Sequence, residues 1–145
     1  MDNPSGRYAA LTKRLVDSVL APSGHMASEL RHAVLARAAR LGGRRDPGGR
    51  QAYDGVPAPL AGYVDKVALH AYTVTDEDLA ALKRAGNSDD VLFEATVSAA
   101  LGAALGRLER GLSALRGESS PPDPLSTLGP HPLTPSPFGR GGTRE

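Results

Sequence analysis

Residues 74 to 115 read VTDEDLAALKRAGNSDDVLFEATVSAALGAALGRLERGLSAL, and this stretch decides the fold. It holds two helices and the punctuation between them. Thr75 stands where an N-cap belongs, and Asp78 three residues later completes a weaker capping box. Asp76 and Glu77 favour the positive end of the helix macrodipole. Gly86 then stops the first helix, and Ser88 caps a second that runs uninterrupted from Asp89 to Leu115. That helix would be on the order of 40 Å long at 1.5 Å per residue. It carries an aliphatic stripe of Val97, Leu101, Leu105, Leu108, Leu112 and Leu115. A second face is built of small residues: Ala95, Ala99, Gly102, Ala103 and Gly106. A small-residue face lets another backbone approach closely, and so long a helix asks for cover on both sides.

Working outward, the same 3.6-residue periodicity predicts three further helices upstream. The first spans about Tyr8 to Leu20, with Leu11, Leu15 and Val19 in line, and stops before Pro22. The second runs from Ser28 to Leu41, with Leu30, Val34, Leu35, Ala38 and Leu41 on one stripe, and ends at Gly42 and Gly43. The third covers about Pro59 to Tyr72, with Leu60, Tyr63, Val64, Val67 and Ala71 inward and Pro59 in its first turn. Between the second and third, residues 42 to 57 form a loop of turn formers and arginine. The sequence therefore predicts an all-α domain of about five helices over residues 1 to 116. Seven of the twelve prolines fall in residues 117 to 145 with five glycines and little apolar periodicity, so this segment reads as a disordered tail. Its PHPLTPSPFGRGG run resembles translated intergenic repeats at the ends of some bacterial reading frames, and its removal is expected to leave the fold intact.

The quoted stretch resembles the C-terminal half of the alkylhydroperoxidase D-like (AhpD-like) and carboxymuconolactone decarboxylase superfamily. The likeness covers about 40 residues well and some 70 more loosely. It implies an AhpD-like helical domain and a homo-oligomer, either a dimer or the trimers and hexamers usual in that superfamily. Its peroxidases work through a Cys-x-x-Cys pair followed by a histidine, with an upstream glutamate in a proton relay. This chain has no cysteine at all, and GGRRDPGGR stands at the matching place. Thiol peroxidase and disulfide reductase chemistry is excluded by residue type, since no other side chain forms the thiolate and disulfide intermediates. Glu29 matches the relay acid, but that role is empty without the cysteines.

Decarboxylase and lactone-processing members of the superfamily do not all depend on a thiol, so a cysteine-independent enzyme stands beside a structural, interaction or small-ligand-binding role. The candidate catalytic residues are His70, Glu94 and Arg107. His70 falls with Tyr63, Val67 and Val74 on a mainly apolar face, as a general acid or base or, more commonly for such a residue, as a hydrogen-bonded core histidine. Glu94 follows Phe93 and precedes Val97, Ser98 and Leu101 by one turn, which suits partial burial with a salt bridge to Arg107 or a helix-cap contact. What separates the two functions is whether these three side chains converge on one open cavity. No cofactor is implied, and His25, His32 and His70 lack metal-ligand spacing.

Charge is uneven along a chain of formal net charge +1: residues 1 to 50 hold nine Lys/Arg against four Asp/Glu, and residues 51 to 116 hold six against nine. Such polarity suits antiparallel contacts between subunits or two solvated faces of opposite sign. LAALKRAGNSDDVLFEATV has the outline of a helix-turn-helix, but its second helix opens with Asp89 and Asp90 and would point carboxylates at phosphates. No nucleic-acid partner is expected, nor is a membrane, because the charge-free run Ala95 to Gly106 falls short of the roughly 18 apolar residues of a span. Without a secretion-signal pattern, a cytoplasmic protein is expected.

Overall fold

The structure is a computed structural model that describes residues 4 to 45 and 55 to 118. The proposed tail lies almost wholly outside these residues, as do Arg50 and most of the arginine loop. Five α-helices are present among the described residues: α1 Pro4–Leu20, α2 Ser28–Leu41, α3 Ala58–His70, α4 Asp76–Arg84 and α5 Asp89–Leu115. Among the described residues there is no strand, and the fold is all-α as the periodicity predicts.

The bounds of α2 and α5 fall where the sequence places them, and the caps explain why. The Ser88 hydroxyl accepts the Val91 N–H at 3.2 Å. At the head of α4, Thr75 accepts from the Asp78 N–H while Asp78 accepts from the Thr75 N–H, a complete capping box. Gly86 takes a φ of +97°, a conformation that a side chain disfavours. Helix α3 ends two residues early. His70 leaves helical geometry at φ −144°, ψ 52°, and Ala71–Thr73 form a single 3₁₀ turn, which the Thr73 hydroxyl secures by donating to the His70 carbonyl at 2.7 Å.

The centre of the molecule is the pairing of α2 with α5, against which α3 packs. The small-residue face of α5 is the buried one: Ala95, Ala99, Gly102, Ala103 and Gly106 are all covered. Their cover is α2 of the same chain. A Cβ placed on Gly102 would collide with the Leu35 carbonyl, and one on Gly106 with the Ala39 carbonyl. In the reverse direction, a Cβ on Gly42 would lie 2.5 Å from the Ala103 carbonyl oxygen. The two helices thus meet backbone to backbone, closer than side-chain packing allows, with dispersion contacts supplied by main-chain atoms. The neighbour that this face asks for therefore lies within the same chain.

Val34, Val64, Ala68, Leu60, Leu82 and Leu92 complete an aliphatic core. Tyr63 is buried among them, and its hydroxyl lies 2.7 Å from that of Thr96, which itself donates to the Leu92 carbonyl. Arg37 of α2 grips Asp65 of α3 in a two-pronged ion pair at 2.6 and 2.7 Å. Lys66 of α3 reaches Asp78 of α4 at 2.6 Å.

Helix α1 departs from expectation. Leu20 is buried and Val16 and Val19 are half-buried, whereas Leu11 and Leu15, on one face with Val19, are 52% and 51% exposed. The leucine stripe of α5 is also left largely open: Leu101 and Leu105 are half-buried, and Leu108, Leu112 and Leu115 are 49%, 43% and 86% exposed.

The glycines of α5 give a direct test of the helix pairing. Gly106→Ala is expected to destabilise the fold by roughly 1 to 3 kcal/mol, the cost of overpacking, despite alanine's better helix propensity. Gly111 lies in the same helix, and a Cβ placed there would meet nothing within 4 Å, so Gly111→Ala should stabilise by about 0.5 to 1 kcal/mol. Urea melts of the two variants should move in opposite directions.

Candidate functional site

The turn joining α1 to α2 folds over the first half of α5, and a carboxylate holds it there. Glu94 accepts hydrogen bonds from the backbone N–H groups of His25 at 2.7 Å and Met26 at 3.0 Å. The chain comes so close that a Cβ on Gly24 would lie 2.5 Å from Glu94 Oε1, so a side chain at this point would push the carboxylate from its place. Arg31, in the first turns of α2, is 5% exposed. It donates from Nη1 to the Val19 carbonyl at 3.3 Å and from Nη2 to the Pro22 carbonyl at 2.5 Å, tying down the end of α1. Its Nε lies 3.9 Å from Glu94 Oε2, an ion pair too long for a hydrogen bond.

These groups border a cavity of about 260 Å³ whose walls include Val19, Pro22, Phe93 and Val97. Two adjacent columns make the α5 wall, each of two residues one helical turn apart: Phe93 with Val97, and Glu94 with Ser98. Among the described residues, the buried side-chain polar atoms without a hydrogen-bond partner are Arg31 Nε and Ser98 Oγ, and both residues line this cavity. Such atoms are ordinarily satisfied, because an unmade bond costs about 1 to 3 kcal/mol. A wider concavity of about 880 Å³ lies between Gly43, Arg45 and the end of α5 around Glu109, Arg110 and Arg116. It is bordered by long charged side chains, and among the described residues neither of the two unpartnered buried atoms belongs to its lining.

Burial pushes the Glu94 carboxyl up, but the His25 and Met26 N–H groups and the charge of Arg31 outweigh it and hold Glu94 below the usual carboxylate range. Glu94 and Arg31 therefore face each other as a charged pair, and their formal charges cancel.

The three sequence candidates do not converge. Glu94 is in the cavity, held by the backbone N–H groups of His25 and Met26, which precede the Ala27 cap of α2; its ionic partner is Arg31 and not Arg107. Arg107 lies about 20 Å further along α5 by helical rise, where its guanidinium donates to the Ala68 carbonyl near the end of α3. His70 is exposed at the last residue of α3, its ring edge-on to Tyr72 with centroids 6.1 Å apart. It belongs neither to the core nor to a cavity, because α3 ends there and turns the chain outward. Glu29 is exposed as well. No group of three or more potential metal ligands occurs among the described residues. Arg44 pairs with Glu109 at 3.2 Å, so this arginine of the loop is engaged in an intramolecular contact.

Arg31 escaped the sequence reading because an arginine beside Leu30 on an amphipathic helix looks like a solvated neighbour. The available signal was indirect. Pro22, Ser23 and Gly24 mark a tight turn, and a turn pressed on a long helix needs donors and acceptors at the contact.

The depressed ionisation of Glu94 sets a pH dependence. A carboxyl whose folded pKa lies below its unfolded value stabilises the fold above the unfolded value, ordinarily about 4.5, and this contribution is lost as pH falls through the lower folded value. Glu94→Gln should therefore melt below the parent at neutral pH, and the gap should narrow in acid. Paired melting curves from pH 7 to pH 3 check this, and a gap constant with pH would exclude the carboxylate as the holding group.

Comparison with known proteins returns no match for this chain, whether among protein-family models, curated proteins or solved structures.

Proposed function

We propose that this chain is a cysteine-less AhpD-like protein that acts as a self-associating helical module, without thiol peroxidase activity. The observation that carries the reading is the uncovered leucine seam of α5. Leu101, Leu105, Leu108, Leu112 and Leu115 follow one another at intervals of four, three, four and three residues, the spacing by which one helix packs along another. Among these five, exposure rises toward the C-terminal end, where α5 extends past its cover by α2. A seam of this kind is self-complementary, so a second copy in two-fold arrangement would cover both stripes together. Exposed apolar surface of this extent on a soluble protein characteristically marks an interaction site. The exposed Leu11 and Leu15 of α1 extend the apolar area available to such an assembly.

Two features of the AhpD-like resemblance support the reading: the helix order around α4 and α5, and the oligomeric habit of that superfamily. Against a cysteine-independent decarboxylase, His70, Glu94 and Arg107 stand apart and share no cavity. Helix α5 is by length and composition also able to cross a bilayer, but its apolarity includes the alanine and glycine face that α2 occupies.

Light scattering should give a mass above that of the 15.0 kDa chain, and Leu108→Arg with Leu112→Arg should return it to the monomer with helical circular dichroism retained. A monomeric parent, or a parent that sediments with lipid vesicles and loses this in the variant, would refute self-association as the use of the seam. With no cysteine present, the protein should turn over no organic hydroperoxide with dithiothreitol. A rate above the buffer blank that disappears in His70→Ala would overturn the thiol-free assignment of inactivity.

A further inference from the structure

The cavity beneath the α1–α2 turn combines an apolar wall with hydrogen-bonding groups that the protein leaves unused. Packing does not ask for the Ser98 hydroxyl: α5 fills neighbouring buried positions with Ala95, Ala99 and Ala103, and alanine at 98 would leave no orphan. The serine hydroxyl and the Arg31 Nε–H are both buried and both without a partner. The separation of 3.9 Å between Arg31 Nε and Glu94 Oε2 is too long for direct bonding, yet one oxygen about 2.9 Å from each spans it. Such an oxygen must accept from the guanidinium and donate to the carboxylate. A water molecule or a hydroxyl does both, whereas a carbonyl or an ether oxygen cannot, so a ligand that takes this place from water does so with a hydroxyl.

Charge and size narrow the ligand further. An anion would meet the Glu94 carboxylate and a cation the Arg31 guanidinium, and the pair is already neutral, so a net-charged ligand finds no counter-charge. At about 260 Å³ the cavity lies just below the range of roughly 300 to 1,000 Å³ typical of drug-sized ligands. We propose that this cavity is a binding site for a small neutral, largely apolar molecule carrying a hydroxyl group, a compact alcohol or phenol, whose body lies against Phe93 and Val97 and whose hydroxyl is read by Arg31, Glu94 and Ser98. Arg31 and Glu94, which line the cavity, are also the groups that fasten the α1–α2 turn to the rest of the fold. Binding and the stability of that turn are therefore linked. The site is separate from the leucine seam and does not depend on self-association.

Phenol and toluene, rings of similar size with and without the hydroxyl, are the probes. In nitrogen-edited NMR titrations of the full chain, phenol should saturate and shift the Arg31 Nε–H and the Phe93 and Val97 amides. Toluene should bind roughly tenfold more weakly, the worth of a hydrogen bond. Arg31 holds the end of α1 and its replacement risks unfolding, so the variants are Ser98→Ala and Val97→Phe. Ser98→Ala should keep or raise the melting temperature while reducing the preference for phenol over toluene; Val97→Phe should fill the cavity and abolish both titrations. Equal affinity for the two rings, shifts confined to other surfaces, no saturation with phenol, or a phenol preference untouched by Ser98→Ala would each overturn the proposal.

Discussion

The approach of the α2 backbone to the glycine and alanine face of α5 is the constraint on which the rest of the structure depends. Gly102 and Gly106 admit the carbonyls of Leu35 and Ala39 where any side chain would exclude them. Gly42 does the same for Ala103 from the other helix. Glycine inside a helix costs up to about 1 kcal/mol relative to alanine. Two of them at the points of closest approach are retained because the close crossing returns more in main-chain contact than it loses in propensity. Once the small face is turned inward, helical geometry forces the leucines outward, since Leu101 and Leu105 share a helix with Gly102 and Gly106 and cannot occupy the same side.

A second fastening completes the N-terminal half. Helix α1 contributes Leu20 fully and Val16 and Val19 partly to the interior, too little to hold a helix of 17 residues in place by burial alone. Polar groups hold it instead. Arg31 binds two carbonyls at the end of α1, and Glu94 binds two N–H groups just before α2. Both groups are charged, and hydrogen bonds to charged groups are the stronger class. Gly24 leaves room for the Glu94 carboxylate, a side-chain group that can shift, whereas Gly102 and Gly106 admit backbone that cannot.

Much of this was legible in the sequence where the signal is local. The ends of α2 and α5, the Thr75 capping box and the Gly86 stop are written in residues within a turn of the feature they determine. Periodicity likewise separated the two faces of α5. It could not say which face would be covered, because an amphipathic pattern reports that a residue wants cover and not which neighbour provides it. The same limit misplaced Leu11 and Leu15, whose spacing is as regular as that of buried Val34 and Ala38. His70 failed differently. Its position in an apolar register carried meaning only if α3 continued, and the helix ends at that residue without a glycine or proline to announce it. Arg31 and Glu94 are 63 positions apart in the chain, and their pairing is a tertiary fact that neither spacing nor composition contains.

Helix α5 is therefore two devices in one element. From Asp89 to about Gly106 it is a core helix, its small face under α2 and its Glu94 and Ser98 column under the α1–α2 turn. Beyond Gly106 its residues are half-buried or exposed, and leucine is presented at regular spacing to solvent. Past Gly106 the helix still touches the domain through polar side chains, Arg107 on the Ala68 carbonyl and Glu109 on Arg44, but it adds no further buried residue. Continuation for two further turns adds exposed apolar surface, which a chain in water keeps at a cost unless something covers it. The division also separates where substitutions fall: Glu94 and Ser98 border the α1–α2 turn and its cavity, whereas Leu108 and Leu112 lie on the exposed stripe beyond the glycine crossing.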